Sequence, residues 1–199
     1  MKIKTMTGKQ KFIKLIYPAL EKITGLFKIN SKVLSSQTPA ATSFYDLKAV
    51  MINGKEYDFA QLKNKKVLIV NTASDCGYTP QYDDLEKLYG TLKDKIEIIA
   101  FPANDFGEQE KADDKGIAEF CKINFGVTFP LMQKAVVLKK EKQNNVFNWL
   151  TQKEKNGWNT NAPSWNFCKY LIDEKGNLTH FFEASVSPLG KEIANAIAQ

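Results

Sequence analysis

The sequence predicts an α/β domain built on a central mixed sheet flanked by helices, with an N-terminal amphipathic helical extension. Three observations carry that reading. Lys66–Asn71 (KVLIVN) and Ile96–Phe101 (IEIIAF) are short, nearly continuous apolar runs, the pattern of strands buried on both faces. Segments with helical spacing follow each of them, which is the alternation of a layered α/β fold. A separate stretch between Lys11 and Lys28 gathers Phe12, Ile16, Leu20, Ile23 and Phe27 on one helical face ahead of the linker-like Ser35–Ser43 (SSQTPAATS). The chain therefore divides into residues 1–43, a basic helix and flexible linker, and residues 44–199, the folded domain.

Each element has a local reason. Tyr45–Met51 and Lys55–Phe59 flank Asn53-Gly54, a dipeptide suited to a tight hairpin. Pro80–Leu92 is helical through Leu85, Leu88, Tyr89 and Leu92, and Asp113 or Asp114 can cap a helix running to about Asn124. Val136–Leu138 reads as a short strand and Asn145–Gln152 as a helix. Phe167–Ile172 and Leu178–Phe182 enclose Gly176 as a closing hairpin, and Pro188 suits the first position of a last helix. Strand, helix, strand, helix, hairpin and helix is the order of a thioredoxin-like architecture.

Composition narrows the function. Within 199 residues no apolar run is long enough to span a bilayer, and three cysteines do not make a disulfide framework. With one histidine, His180, no metal site is expected, and no other cofactor. The net charge of +6 resides entirely in residues 1–28, which hold seven lysines and one acid, Glu21. The remaining residues balance, so no nucleic-acid partner is expected. The chain contains no arginine, which removes planar, two-pronged recognition of carboxylates. Residues 1–28 admit four readings: a secretory signal, a lysine-rich helix in peripheral contact with an anionic membrane, a helix docked on its own domain, or a loosely ordered extension. Pro18 should kink or interrupt that helix.

Cys76 falls just past the Lys66–Asn71 strand and before the Pro80 helix. That junction exposes a side chain at the carboxyl edge of a sheet and brings it toward a helix N-terminus, where partial positive charge favours a thiolate. Asp75 opposes this unless its carboxylate points away. The surrounding stretch VNTASDCGYTPQY (Val70–Tyr82) resembles the nucleophile motif of the glutathione peroxidase family. FPANDFGEQE (Phe101–Glu110) and WNFCKYLID (Trp165–Asp173) resemble the family's next two motifs, in the same order.

The resemblance implies that Cys76 attacks a peroxide, hydrogen peroxide or an organic or lipid hydroperoxide, with Gln109, Trp165 and Asn166 completing a catalytic tetrad. Amide and indole N–H groups can donate to sulfur and to a departing oxygen without competing for the proton. Cys121, within AEFCKINFGVTFP (Ala118–Pro130), stands where thioredoxin-dependent members carry a resolving cysteine. The cysteine that often follows Phe-Pro in the family is Ala103 here, and Cys168 is expected as an interior thiol. Oxidised Cys76, a sulfenic acid, would condense with Cys121. A helix-borne Cys121 would have to unwind locally to come within about 7 Å of Cys76. The implied reductant is thioredoxin or a similar dithiol protein, and the short span from Trp149 to Trp165 implies a monomer. A peroxide-sensing redox relay and a glutathione-dependent peroxidase are the alternatives. The expected location is cytoplasmic, peripheral at a membrane if the helix binds one.

Overall fold

A computed structural model describes residues 5–199, so Lys2 and Lys4 of the basic segment lie outside the described residues. In chain order the elements are α1 (Gly8–Leu26), β1 (Val33–Ser35), β2 (Lys48–Val50), β3 (Glu56–Asp58), β4 (Lys66–Thr72), α2 (Gln81–Leu92), β5 (Ile96–Pro102), α3 (Asp114–Phe125), α4 (Asn145–Leu150), α5 (Lys153–Asn156), β6 (Lys169–Ile172), β7 (Leu178–Phe182) and α6 (Lys191–Ala198). The apolar runs of β4 and β5 pair in parallel, Ile69 opposite Ile99, and every residue of both strands is buried. β6 lies antiparallel on the other side of β4, followed by β7 and β1, giving the mixed order β1-β7-β6-β4-β5.

Alternation along β4 divides the core into two layers. Leu68 and Val70 face α2, α3 and α6 through Leu85, Ile117 and Ile193. Val67 and Ile69 face the opposite layer, where Phe44, Phe59, Phe147 and Trp149 pack. This thioredoxin-like arrangement places both strand-to-helix turns of the parallel pair at the same sheet edge.

The first hairpin forms as its sequence dictates. Gly54 takes φ +85°, its N–H returns to the Met51 carbonyl at 2.8 Å, and the Asn53 side chain accepts from Lys55. Pairing starts only at Lys48, because Phe44–Asp46 is a 3-10 turn capped by Ser43. In the closing hairpin Gly176 also has φ +85°, and a Cβ there would lie 2.9 Å from the Tyr45 ring. Only glycine meets both demands.

Several expectations need correction. Val136–Leu138 forms no strand: the free edge of β5 is taken upstream, where Ala100 bridges Leu131, and the Val137 N–H is held by Asp105 at 2.7 Å. Pro188 does not open the last helix. It lies in a turn closed by Gly190 N–H on the Ser187 carbonyl at 2.9 Å, and α6 starts at Lys191. The helix from Asn145 stops at Leu150, where the Thr151 hydroxyl folds back on the Phe147 carbonyl, and the short α5 follows. Ser35–Ser43, read as flexible, is tied to the body: Ser35 ends β1, and the N–H groups of Ala41 and Thr42 both reach the Lys155 carbonyl.

The N-terminal helix is docked on the domain. Thr7 and Gln10 form a capping box, and the helix continues through Pro18 without interruption. Gln10 Nε2 donates to the Ser74 carbonyl at 2.8 Å, Lys14 pairs with Asp83 at 2.7 Å, and Tyr17 is buried. At the far end of α3, Asn124 Oδ1 accepts from the Met6 N–H, and Lys14 lies 4.3 Å over the Phe125 ring.

Candidate active site

Between β4 and α2 the chain makes a tight turn around Cys76. Its N–H donates to Thr79 Oγ1 at 3.0 Å, and the Thr79 hydroxyl donates to the Ala73 carbonyl at 2.9 Å. The Thr79 N–H returns to the Cys76 carbonyl at 3.2 Å, and the Tyr78 N–H donates to Cys76 Sγ at 3.4 Å. One buried hydroxyl thus fixes the turn that aims the sulfur.

Asn71, fully buried at the end of β4, organises the opposite wall. Its Nδ2 donates to the Trp165 carbonyl and its Oδ1 accepts from the Cys168 N–H, both at 3.0 Å. The Phe167 N–H donates to the Asn71 carbonyl at 2.6 Å while Phe167 holds φ +70°. A bulky residue with left-handed backbone is strained, and the three contacts to Asn71 over-determine it. The bend brings Trp165 and Asn166 beside the sulfur, where both side chains act to lower the pKa of the Cys76 thiol.

Gln109 arrives on the loop after β5, whose turn is set by Gly107 and Glu108 at φ +58° and +53°. Its Oε1 accepts from Asn166 Nδ2 at 3.0 Å. This loop is joined to the Cys76 turn twice, by the Asp75 N–H on the Gln109 carbonyl and by the Ser74 hydroxyl on Glu110 Oε2. The fold thus brings Trp165 and Asn166 beside Cys76 and ties Gln109 to Asn166. Asn71 and Thr79 were not singled out from the sequence. Their signal is a polar side chain ending an apolar strand and a threonine three residues past the cysteine.

The electrostatics differ from expectation in one respect. Cys76 is 1% exposed, and burial pushes its thiol above the ordinary value. The Tyr78 N–H, Trp165 and Asn166 pull it down, and Asp75 adds a small upward push. The donors at the turn are present, but desolvation outweighs them. α1 contributes to that burial, because Met6, Gln10, Ile13 and Lys14 enclose a void of about 10 Å³ against Cys76 and Phe125. The Asp75 carboxylate is directed outward, half-exposed, 3.5 Å from Lys9. Beside the turn a cleft of about 380 Å³ runs between Thr7 and Gln10 of the N-terminal segment and Asp75 and Gln109.

Cys121 lies on the inner face of α3, fully buried, its thiol pushed up to about 12 by burial with the Tyr82 hydroxyl beside it. It shares a core layer with Cys76, and Phe125, one turn further along α3, touches the same void as Cys76. Cys168 is buried against Ser164 at 3.6 Å. All three cysteines are free thiols.

Residues 44–151 match the sequence pattern of the family described as glutathione peroxidase. The chain belongs to the glutathione peroxidase family. It is 42% identical over 161 residues to glutathione peroxidase-like peroxiredoxin 2 of Saccharomyces cerevisiae, covering 79% of this chain and 99% of that one. To the glutathione peroxidase of Lactococcus lactis it is 43% identical, over 73% of this chain and 92% of the other. The crystal structure of T. cruzi GPX1 superposes with a TM-score of 0.61 at 29% identity, covering 79% of this chain and 95% of that one. A thioredoxin family protein from Chlorobium tepidum, 15% identical with a TM-score of 0.53 over 82% of this chain and 99% of its own, shares the fold alone. On this glutathione peroxidase scaffold the cysteine turn, the glutamine loop and the Trp165–Asn166 bend occupy one edge of the sheet, and α1 is packed against the cysteine turn.

Proposed function

We propose that the protein is a thiol peroxidase that reduces hydrogen peroxide and organic hydroperoxides through Cys76, with Cys121 as resolving thiol and a thioredoxin-like dithiol protein as reductant, acting as a monomer. The observation that carries this reading is the convergence of Trp165, Asn166 and the Asn166–Gln109 pair on a buried cysteine. As the Cys76 thiolate attacks the outer peroxide oxygen, the sulfur–oxygen bond forms, the O–O bond breaks, and negative charge moves to the leaving oxygen. Donors already placed there stabilise that charge without reorganising. The proton lost from the Cys76 thiol ends on the leaving oxygen, giving an alcohol or water. Asn166 Oδ1 is buried and has no partner among the described residues, so it offers an acceptor for the peroxide O–H.

The sulfenic acid left on Cys76 then condenses with the Cys121 thiol, releasing water and forming a disulfide. In the reduced fold Cys121 is shielded and held protonated, so this step requires α3 to open. The disulfide is reduced by exchange with two thiols of the partner protein. The names glutathione peroxidase-like peroxiredoxin among the relatives and the absence of arginine to clamp the carboxylates of glutathione both support a protein reductant.

Steady-state peroxide reduction tests this, with thioredoxin and glutathione supplied separately to wild type and Cys121→Ser. Turnover with thioredoxin that Cys121→Ser abolishes is the expected result. Undiminished turnover of the variant, or faster turnover with glutathione, overturns the assignment of Cys121 and of the reductant.

A further inference from the structure

We propose that the outward face of α1 is a binding surface for an anionic lipid bilayer, held in fixed orientation by the docking of its opposite face. α1 has two unlike sides. The side against the domain mixes polar and apolar contacts: Gln10 holds the Ser74 carbonyl, Lys14 pairs with Asp83, Tyr17 is buried, and Ile13 lines the void beside Cys76. Phe12, Leu15, Ile23, Leu26 and Phe27 are turned away from the domain, at 60%, 78%, 50%, 77% and 68% exposure. Those positions recur every three or four residues, or at multiples of that spacing, so they form one continuous stripe.

Eight of the eleven large apolar side chains left exposed among the described residues fall between Phe12 and Val33. A folded protein rarely leaves so concentrated an apolar strip in water without a partner for it. Internal burial is excluded, because rolling the helix inward would break the Gln10, Lys14 and Met6 contacts that hold it.

Charge identifies the partner. The segment 1–28 carries the whole net +6 of the chain, while the remaining residues are neutral overall. Lys14 and Lys9 are paired with Asp83 and Asp75, but Lys11, Lys22 and Lys28 are exposed along the same segment as the stripe. An apolar stripe accompanied by lysines fits acyl chains below anionic headgroups. A second copy of this chain would set the same cations against each other. Among the described residues no helix is long and apolar enough to cross a membrane, so the mode is interfacial. Nineteen residues of helix, about 28 Å long, would lie along the surface. Cys76 lies against the docked side of this helix, which would keep the active site within roughly one helix diameter, about 10 Å, of the lipid. The lipid surface itself does not depend on the peroxidase reading.

Co-sedimentation of the full chain with vesicles tests the proposal, comparing phosphatidylcholine alone with phosphatidylcholine containing phosphatidylglycerol. The expected result is binding to the anionic vesicles that weakens as salt is raised. Leu15→Glu and Ile23→Glu should each weaken binding about tenfold or more. Both positions face solvent, so melting temperature and the rate of Cys76 oxidation in solution should not change. Failure of the wild type to bind anionic vesicles overturns the proposal, as does equal binding by both variants. A concentration-dependent dimer lost in Leu15→Glu would instead assign the stripe to a second copy.

Discussion

Cys76 is pulled in two directions. Burial raises its pKa above 9.0, and the donors around it, Tyr78 N–H, Trp165 and Asn166, act against that rise. The first prediction follows from which effect wins. The alkylation rate of Cys76 should climb with pH to a midpoint above that of an ordinary thiol, and Asp75→Asn should lower the midpoint slightly; a midpoint well below neutral excludes this balance. Asn71 is a positioning residue. Asn71→Ala leaves the Cys168 N–H without its acceptor and should cost about 1–3 kcal/mol in chemical denaturation, while slowing Cys76 oxidation through displaced Trp165 and Asn166. Buried Lys169, whose Nζ donates to the Ala184 and Val186 carbonyls, is lowered to about 7, first by burial, with Cys168, Glu21 and Asp84 acting upward. From about pH 7 up to its ordinary 10.5 the unfolded chain binds more protons than the folded one at this site, so its contribution to stability increases with pH across that window. Below pH 7 the penalty of the buried charge is fully present. Denaturant midpoints across that range should rise in wild type relative to Lys169→Met, and parallel curves would contradict the assignment. Neither Asn71 nor Lys169 was legible in the sequence, because whether a polar residue in an apolar stretch is buried and paired depends on partners 15 to 97 positions away.

At the scale of elements, α3 has to do two things. Reduced, it buries Cys121 against Tyr82; under the proposed mechanism it also delivers that thiol to oxidised Cys76. Its ends are well capped, by Asp113 on the Gly116 N–H at 2.9 Å and by Gly126 at φ +64°, and α1 grips its last turn through Asn124 and Phe125. Opening therefore costs free energy that the new disulfide must offset. Hydrogen exchange over Asp114–Phe125 should accelerate on oxidation while α2 stays protected; identical protection in both redox forms would contradict a helix that unwinds. Sequence periodicity found β4, β5, α2 and α3 because each buries a face along its own length. It missed β1 because three residues at a sheet edge carry no period and are defined by β7. It misplaced the last helix because Pro188 suits a turn as well as a first helical position. The family was legible for a different reason: three motifs keep their order along the chain, and the fold brings them to one edge.

At the scale of the whole molecule, one edge of the sheet gathers a cysteine turn, a glutamine loop and a strained bend, with α1 packed against the cysteine turn. The net charge of the chain resides in residues 1–28, which include that helix, while residues 29–199 are neutral overall. Peroxide reactivity should therefore be insensitive to salt, whereas attachment through α1 should not be. The decisive measurement is the second-order rate constant for oxidation of Cys76 by hydrogen peroxide, followed by stopped-flow fluorescence in wild type and Asn166→Ala, with circular dichroism confirming that the variant is folded. If the convergent donors lower the barrier to O–O cleavage, the variant should react about 10²- to 10³-fold more slowly. A folded variant reacting as fast as wild type would contradict the role assigned to the site.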